Sequence, residues 1–291
     1  MAVVNAKEIL IKATVERYAV GAFNVTNIVQ MEAVVEAAVG RNAPLIIQTS
    51  VTPSKFLGPE VLVSVYRTLA ESAPIPICLH LDHCTDVEYC KRCADAGYTN
   101  IMIDASRQVF EENVRQTKEV VDYCHRVGKI SVEGELGTVS GVEDQVRVAE
   151  DEAALCDPAR ALEFVDSTGV DLLAPAIGTA HGIYKTENPK LDFERLKTIS
   201  DLLNGETPRV PVVIHGGTGL HPQVVRELIS LGGSKFNVST ELKHVLIDST
   251  YEYICAHREE YNPGKVDGAV KAGIKKSVES WIDLLGCAGK A

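Results

Sequence analysis

A carboxylate and an imidazole stand next to each other where a short apolar run of the sequence ends. Residues 75–81 have the composition of a buried parallel strand, and Asp82 and His83 follow them directly. Because α/β barrels place their chemistry at the carboxyl ends of strands, this pair is a candidate for catalysis or metal binding. Successive strand residues point to opposite faces, so the two side chains need not share a role. The structural alternative is that Asp82 bonds backbone in a turn while Asp86 caps the following helix.

Several further apolar runs also end in polar side chains. The ends of the strands of one barrel meet over its mouth, so residues far apart in sequence become neighbours there. Three of these ends are histidines, and three neutral imidazoles form a known catalytic zinc site that keeps one position open for a substrate oxygen. The polar ends are Asn24, Ser50, Asp82, His83, Asp104, Glu135, His181, His215 and Asn237. The alternative is that some of them only cap turns, and a structural role is our interpretation of the other histidines, His80, His125, His221, His244 and His257.

The glycine-rich segment after His215 has the features of a phosphate site. Glycines that follow a strand let backbone N–H groups approach a phosphate, and the helix beginning at Pro222 adds its positive end. A second segment, 237–240, opens another helix, and together the two match the phosphate site that follows barrel strands seven and eight. The predicted donors are Gly216, Gly217, Thr218, Ser239 and Thr240, with Lys185 as the local cation.

Eight short apolar runs alternate with segments of helical periodicity along the chain. This alternation predicts a parallel sheet, and eight such units predict a (β/α)8 TIM barrel with extra C-terminal helices. The 291 residues show no change of composition and no low-complexity linker, so we expect one domain, 1–291. The predicted strands are 19–23, 45–47, 75–81, 100–103, 130–132, 172–174, 211–214 and 235–238.

One predicted loop, 136–156, is much longer than the others. It contains Gly137, Gly141 and a run of acidic residues. Because long loops in compact domains are usually functional, we interpret it as a lid that closes over bound substrate.

The composition disfavours several classes of partner. A formal net charge of −11 argues against nucleic acid and anionic membranes, and no apolar run approaches the ~20 residues of a membrane span. The N-terminal residues lack the basic and apolar regions of a signal peptide, so we expect a cytoplasmic protein. The eight cysteines are then expected to be reduced. The pair Cys90 and Cys93 lies in a predicted helix without a second pair, which disfavours a zinc or redox motif.

Taken together, these motifs resemble one known family, the class II, zinc-dependent ketose-bisphosphate aldolases. The resemblance covers essentially the whole chain. It extends to fructose-1,6-bisphosphate and tagatose-1,6-bisphosphate aldolases, with a C-terminal tail more similar to the tagatose type. The motifs that carry it are GAFN (21–24), HLDHCTD (80–86), MIDAS (102–106), SVEGELG (131–137), LAPAIGTAHGIYK (173–185), HGGTGL (215–220), KFNVSTEL (235–242) and GCAGKA (286–291).

The resemblance implies reversible aldol cleavage of a ketose 1,6-bisphosphate to dihydroxyacetone phosphate and glyceraldehyde 3-phosphate. A Lewis acid such as Zn²⁺ would stabilise the negative charge that this cleavage leaves on the ketone half. Asp82 matches the acid that exchanges a proton with the C4 hydroxyl, and Glu143 matches the mobile acid that protonates the enediolate carbon. The resemblance also implies a homodimer or homotetramer, and a monovalent cation (Na⁺ or K⁺) near the phosphate site.

The remaining site residues are carried over by motif. The residues that match the zinc ligands are His83, His181 and His215, and a second, alternative metal position matches Asp104 and Glu135. The residues that match the dihydroxyacetone-phosphate pocket are Ser50, Gly182, Lys185, Gly216, Gly217, Thr218, Asn237, Ser239 and Thr240.

Two departures from the family pattern bear on the substrate. Ser239 stands where fructose-type members often carry Asp and tagatose-type members a small residue. Many members also have an arginine for the distal phosphate where this chain has Gly264. Lys265 could replace that arginine as a point charge without bidentate geometry. A ketose 1-phosphate, or another sugar phosphate without the distal phosphate, therefore remains an alternative substrate.

Three other functions are weighed against this one. A barrel metal hydrolase commonly has an HxH pair on its first strand, and residues 21–24 contain no histidine. A class I aldolase needs a Schiff-base lysine, and no lysine stands at a predicted strand exit as a good candidate. A non-catalytic sugar-phosphate binder has no need of both Asp82 and Glu143.

Overall fold

The computed structural model describes residues 3–143, 146–149, 153–182, 184, 189–205 and 209–291, with the backbone alone at 142, 143, 146 and 147. The strands of the described residues are β1 (Val20–Asn24), β2 (Leu45–Ser50), β3 (Ile77–Cys84), β4 (Asn100–Ile103), β5 (Ser131–Leu136), β6 (Ser140–Glu143), β7 (Val146–Val148), β8 (Leu172–Pro175), β9 (Ala180–His181), β10 (Val212–Ile214) and β11 (Gly233–Val238). The helices are α1 (Ala6–Glu16), α2 (Ile28–Gly40), α3 (Val51–Leu57), α4 (Pro59–Ser72), α5 (Val87–Ala96), α6 (Phe110–Val127), α7 (Pro158–Thr168), α8 (Phe193–Asn204), α9 (Pro222–Ser230), α10 (Thr240–Ala256) and α11 (Pro263–Leu285).

Eight of these strands close into a parallel barrel in the order β1-β11-β10-β8-β5-β4-β3-β2. β1 pairs in parallel with both β2 and β11, which closes the sheet. Every residue of these eight strands is buried, as expected for strands covered by helices outside and by packed side chains inside. The predicted (β/α)8 barrel is confirmed, and α10 and α11 are the extra C-terminal helices.

Several helices begin where the sequence places a capping side chain. Asp86 accepts hydrogen bonds from Glu88 N and Tyr89 N at the start of α5, and Asn27 accepts one from Gln30 N at the start of α2. These side chains satisfy backbone N–H groups that have no partner inside the helix. The capping role predicted for Asp86 is therefore confirmed.

The end of β3 differs from the prediction. The strand was expected to end at Leu81, but it continues through Cys84, whose carbonyl accepts a hydrogen bond of 2.7 Å from Asp104 N. Three residue steps on β3, from Leu81 to Cys84, face two steps on β4, so one residue is inserted as a bulge. His83 adopts a φ of +48° there, in the left-handed region that few non-glycine residues occupy. The bulge breaks the regular alternation of faces, and Asp82 and His83 are both buried at this end of the strand.

The long segment after β5 is also more ordered than a loop. The prediction of a loop over 136–156 is wrong for β6 and β7, which form an antiparallel hairpin within it. β6 also pairs in parallel with β9, so the hairpin belongs to a small three-stranded sheet outside the barrel. The residues between the two hairpin strands, 144 and 145, and the acidic residues 150–152 lie outside the described residues.

Among the described residues, no helix has both the length and the apolar character needed to cross a bilayer.

Candidate metal and substrate site

Three imidazoles meet at the carboxyl end of the barrel. His83 lies in the bulge of β3, His181 in β9, and His215 directly after β10. The ring centroid of His83 is 4.8 Å from that of His181 and 4.5 Å from that of His215. One ligand atom from each of the three lies within 4.8 Å of the others. The three histidines predicted as metal ligands are therefore brought together.

The buried edge of His83 fits a metal ion. Its Nε2 is buried and has no hydrogen-bond partner among the described residues. An unpaired buried nitrogen lowers the folding stability, so its presence indicates a functional role such as binding a metal ion. Its Nδ1 lies 3.0 Å from Asp104 Oδ2. A carboxylate on one ring nitrogen fixes the orientation of an imidazole whose other nitrogen binds a metal. The donor set of three imidazoles is one that Zn²⁺ favours.

Two carboxylates next to His83 favour the protonated form of its ring. Burial lowers the pKa of His83, but the Asp82 and Asp104 carboxylates raise it more, to about 10. Burial raises the pKa of Asp104, but the hydrogen bond from His83 and those from Ser106 lower it to about 2. A metal ion bound to His83 Nε2 would therefore replace a proton.

A second group of possible ligands adjoins the first. His83, Asp104 and Glu135 also have ligand atoms within 4.8 Å of one another. Asp104 and Glu135 are the residues predicted for an alternative metal position, and His83 is common to both groups, so the described geometry allows a metal ion to be held by either group.

Asp82 is held by amide groups from three other strands. Its Oδ2 accepts hydrogen bonds from Asn24 Nδ2 at 2.9 Å and Gln48 Nε2 at 3.3 Å. Its Oδ1 accepts one from Asn237 Nδ2 at 3.1 Å. Burial raises the pKa of Asp82, but the imidazoles of His83 and His80 lower it well below its ordinary value. The side chain is therefore a fixed, ionised carboxylate beside the imidazoles.

Gln48 was missed by the sequence reasoning, although a signal was present. It is a polar residue inside the apolar run of β2, and a buried amide of this kind needs partners. Its other hydrogen bond runs from Nε2 to Asn24 Oδ1 at 2.5 Å. The same reasoning identifies Asn24, at the end of β1, as part of the support of Asp82 rather than a mere turn residue.

His215 lies between two glutamates. Its Nδ1 is 3.0 Å from Glu135 Oε2, and its Nε2 is 2.9 Å from Glu133 Oε1. Burial and the nearby His83 lower the pKa of His215, but the two glutamates raise it more. Glu133 in turn accepts a hydrogen bond of 2.8 Å from Lys235 Nζ.

Lys235 and Glu133 were also missed, and both are completely buried in the barrel. Burial raises the pKa of Glu133, but Lys235 and the hydrogen bond with His215 lower it below its ordinary value. Charged side chains are rarely buried without a partner, so their occurrence inside apolar strand runs was an available signal. His80, interpreted as strand interior, is buried beside them, with its Nε2 3.4 Å from Lys235 Nζ.

A small polar cleft opens beside His181. Gly216 has a φ of +68°, and a Cβ on it would lie 2.4 Å from Ala180 O, so only glycine lets the two loops approach this closely. Tyr184 ties the same loops together, since its hydroxyl donates to Gly216 O at 2.8 Å and accepts from Ala180 N at 3.1 Å. The residues that line the cleft are Asn24, Asp82, His181, Gly182, Gly216, Gly217, Thr218, Asn237, Ser239 and Thr240.

Comparison with known proteins identifies the family. A model of the family "Fructose-bisphosphate aldolase class-II" matches residues 4–290. The chain belongs to the class II fructose-bisphosphate aldolases. It is therefore an aldolase, a carbon–carbon lyase, and the resemblance of its sequence motifs to this family is confirmed.

Individual relatives of this aldolase are similar over their whole length. A fructose-bisphosphate aldolase of Geobacillus stearothermophilus is 40% identical over 294 residues, covering 100% of this chain and 99% of the relative. A fructose-bisphosphate aldolase of Helicobacter pylori is 37% identical, covering 99% of each chain. The crystal structure of the YdjI aldolase of Escherichia coli K12 is similar with a TM-score of 0.85 and 32% identity, over 99% of both chains.

The predicted phosphate-pocket residues of the aldolase are only partly brought together. Of those that the structure describes, all except Ser50 line the cleft. Ser50 is buried at the end of β2, in register with Asp82, but does not line the cleft. Lys185 lies outside the described residues.

Glu143 of the aldolase is described only through its backbone, as the last residue of β6. Two residues earlier, Gly141 pairs with His181. Gly141 has a φ of +108°, and a Cβ on it would lie 2.3 Å from His181 O. The hairpin is therefore in direct backbone contact with the strand that carries a candidate metal ligand.

Proposed function

We propose that this aldolase is zinc-dependent and reversibly cleaves a ketose 1,6-bisphosphate to dihydroxyacetone phosphate and glyceraldehyde 3-phosphate. The observation that carries the proposal is the group His83, His181 and His215 beside the ionised Asp82, with a His83 Nε2 that has no hydrogen-bond partner among the described residues. The cleft next to it, lined by glycine backbone and hydroxyl groups, suits a phosphate.

The three histidines would hold the zinc ion. A bound Zn²⁺ polarises the ketone and stabilises the negative charge that develops when the C3–C4 bond breaks. Asp104 and Glu135 fix the rings of His83 and His215 through hydrogen bonds of 3.0 Å, and they are the ligands we propose for the alternative metal position.

Asp82 is the proposed base for the C4 hydroxyl. During cleavage its carboxylate takes the hydroxyl proton, and during condensation it returns the proton to the new hydroxyl oxygen. Its low pKa matches a group that rests ionised and accepts a proton only as the C–C bond breaks. Asn24, Gln48 and Asn237 orient both of its oxygens, which reduces the reorganisation needed during the reaction.

Glu143 is the proposed acid for the other half of the reaction. It delivers a proton to the enediolate carbon, which completes dihydroxyacetone phosphate. Its position on the hairpin, two residues from the pairing between Gly141 and His181, supports a role for this segment as the lid.

The cleft is the proposed site for the phosphate of the ketone half. Backbone N–H groups and hydroxyls would bind the phosphate oxygens, with a monovalent cation (Na⁺ or K⁺) nearby as a counter-charge. The residues proposed for this pocket are Ser50, Gly182, Lys185, Gly216, Gly217, Thr218, Asn237, Ser239 and Thr240.

A substrate without the distal phosphate is the second candidate, and one observation favours it. Lys265, the possible replacement for the arginine of the family, forms an exposed ion pair with Glu260. Gly264 beside it has no side chain to contribute. Binding a distal phosphate through Lys265 would first require that this ion pair open, which weakens the preference for a bisphosphate.

One panel of substrates tests the proposal. We would compare kcat/KM for fructose-1,6-bisphosphate, tagatose-1,6-bisphosphate and fructose 1-phosphate, with dihydroxyacetone phosphate detected as the common product. We expect the better bisphosphate to exceed the monophosphate by more than about tenfold, or ~1.4 kcal/mol of transition-state binding. A smaller advantage favours the second candidate. Turnover of none of the three by fully metallated protein favours a non-catalytic binder.

Matched histidine variants test the ligand assignment. His83→Ala should lose stoichiometric zinc, whereas His244→Ala, on the exposed surface of α10, should keep it. Zinc content measured after dialysis separates the two, and equal zinc in both variants contradicts the assignment.

We further propose that the enzyme is a cytoplasmic homodimer or homotetramer. Ile247, Tyr251 and Ile254 are exposed at helical spacing on α10, and such an apolar stripe is typical of a surface that another subunit covers. Light scattering can measure the molar mass of the wild type and of Tyr251→Lys. A wild type that is a monomer at micromolar concentration would contradict the proposed assembly.

A further inference from the structure

Tyr184 joins two segments at the mouth of the barrel through one hydroxyl group. The hydroxyl accepts a hydrogen bond of 3.1 Å from Ala180 N in β9 and donates one of 2.8 Å to Gly216 O. A backbone N–H can only donate and a carbonyl oxygen can only accept, so the partners fix the direction of both bonds. The hydroxyl therefore bridges β9 and the glycine segment, residues 216–219, which follows β10 and His215.

The ring of Tyr184 lies beside the far end of the glycine segment. It packs against the hydrophobic core, and a Cβ on Gly219 would come within 3.6 Å of Tyr184 Cδ2. At the near end, a Cβ on Gly216 would lie 2.4 Å from Ala180 O, so the two backbones touch where the hydroxyl bridges them. Tyr184 thus holds the glycine segment against β9 at both of its ends.

The candidate metal ligands on the same two segments have other supports. His181 lies in β9, and its backbone pairs with Gly141 of β6. His215 Nδ1 lies 3.0 Å from Glu135 Oε2. Loss of the Tyr184 hydroxyl should therefore leave the imidazoles in place while the glycine segment becomes free to shift relative to β9.

Phosphate binding in the cleft depends on the relative position of the two segments. The cleft is lined by His181 and Gly182 from one segment and by residues 216–218 from the other. Backbone N–H groups bind one phosphate together only when they point to the same place. A small shift of one segment should therefore weaken several of their bonds at once.

We propose that Tyr184 is a positioning residue for the phosphate of the ketone half. Its hydroxyl fixes the glycine segment against β9, so the N–H groups of both segments are arranged before the phosphate binds, which lowers the cost of binding. In this role Tyr184 acts through the two segments and not by contact with the substrate. The inference rests on the proposed function for the identity of the anion, whereas the bridge is a property of the protein without metal or substrate.

Two tyrosine variants separate positioning from support of the fold. Tyr184→Phe removes the hydroxyl and keeps the ring. Tyr66→Phe is the matched control, because the Tyr66 hydroxyl donates a hydrogen bond of 2.8 Å to Ile77 O at the opposite, amino end of the barrel. If the Tyr184 hydroxyl serves only stability, the two variants should have the same kinetics.

The expected result is a split between substrate binding and chemistry. In zinc-loaded enzyme, Tyr184→Phe should raise the KM of the better ketose bisphosphate and the Kd of dihydroxyacetone phosphate about tenfold, the order expected from losing hydrogen bonds that position a binding segment. Its kcat should stay within about threefold of wild type, because the phosphate is bound equally in the ground and transition states. Its zinc affinity, measured by competition with a chelator, should not change. Tyr66→Phe should alter none of these quantities.

Hydrogen exchange of the metal-free protein without substrate, followed by mass spectrometry, tests the bridge itself. Tyr184→Phe leaves the Ala180 N–H without its acceptor, so exchange should become faster in residues 177–182, and Tyr66→Phe should not change it there.

Three results overturn the inference. They are an unchanged KM and Kd in an active Tyr184→Phe enzyme, loss of zinc from that variant, and exchange that becomes faster throughout the barrel, which would assign the hydroxyl to general stability. Faster exchange confined to residues 177–182, in a protein whose wild type turns over no ketose phosphate, overturns the proposed function and leaves the bridge standing.

Discussion

Replacing Asp82 by asparagine should separate chemistry from folding. The carboxylate accepts hydrogen bonds from Asn24, Gln48 and Asn237, and asparagine keeps the shape but turns one acceptor into a donor. The Oδ1 of Asn237 is buried without a hydrogen-bond partner among the described residues. Rotating the Asn237 amide would offer this oxygen to the new NH2 group, but it would turn the NH2 of Asn237 to the place where no described residue bonds its oxygen now. One buried donor is therefore left unpaired, and we expect Asp82→Asn to cost about 1–3 kcal/mol of folding stability.

The effect on catalysis should be far larger. Loss of a positioned general base typically lowers the rate by about 10²- to 10⁴-fold, equivalent to ~3–5 kcal/mol of the activation barrier. The measurements are kcat for ketose-bisphosphate cleavage, zinc content, unfolding temperature, and exchange of the carbon-bound proton of dihydroxyacetone phosphate with solvent. Cleavage by Asp82→Asn should fall by this factor while zinc content and proton exchange persist. A kcat within threefold of wild type, or proton exchange lost in step with cleavage, would refute the assignment of Asp82 as the C4-hydroxyl base.

Three further predictions follow from the site. Glu143→Ala should slow proton exchange at the enediolate carbon more than it raises KM, and loss of zinc from this variant would contradict its role. Gly216→Ala should lower kcat/KM at least about tenfold, because its Cβ would lie 2.4 Å from Ala180 O. Gly289 is the control, because it has a similar φ of +74° but a Cβ on it would have no atom within 4 Å. Gly289→Ala should therefore lose only the ~1–2 kcal/mol of folding stability that backbone strain costs, with unchanged kinetics. Equal effects of the two substitutions on kcat/KM would contradict this prediction. The pKa of His83 is raised from 6.5 to about 10 in the metal-free protein, so the stability given by its charged form is complete below pH 6.5 and is lost as the pH rises towards 10. Zinc must displace this proton, so zinc affinity should rise between pH 6.5 and 8, by up to about tenfold per pH unit for each proton released. A zinc affinity that does not change with pH would contradict this prediction.

The sequence predicts the barrel well because its signals are local. Each strand is a short apolar run, and helix starts such as Asp86 carry their own capping side chain. The cluster of His83, His181 and His215 could also be predicted, because strand ends in a closed barrel meet at one mouth whatever the details of packing.

The features that sequence reasoning missed depend on contacts between distant elements. The bulge at His83 arises from the pairing between β3 and β4, and nothing in the β3 sequence alone requires an extra residue there. The pairing of Glu133 with Lys235 joins strands that are not neighbours in the sheet, so periodicity cannot reveal it. The hairpin of β6 and β7 consists of strands of only four and three residues, too short for a clear alternation of apolar and polar positions.

Removal and return of the metal ion tests the central claim most directly. Wild-type enzyme would be dialysed against a strong chelator, assayed for ketose-bisphosphate cleavage, and assayed again after one equivalent of Zn²⁺ per chain is added. A parallel sample would be treated with borohydride in the presence of substrate, which traps a lysine Schiff base. The account predicts that chelation abolishes cleavage, that zinc restores it, and that borohydride has no effect. Cleavage that survives prolonged chelation but is abolished by borohydride with substrate would contradict it.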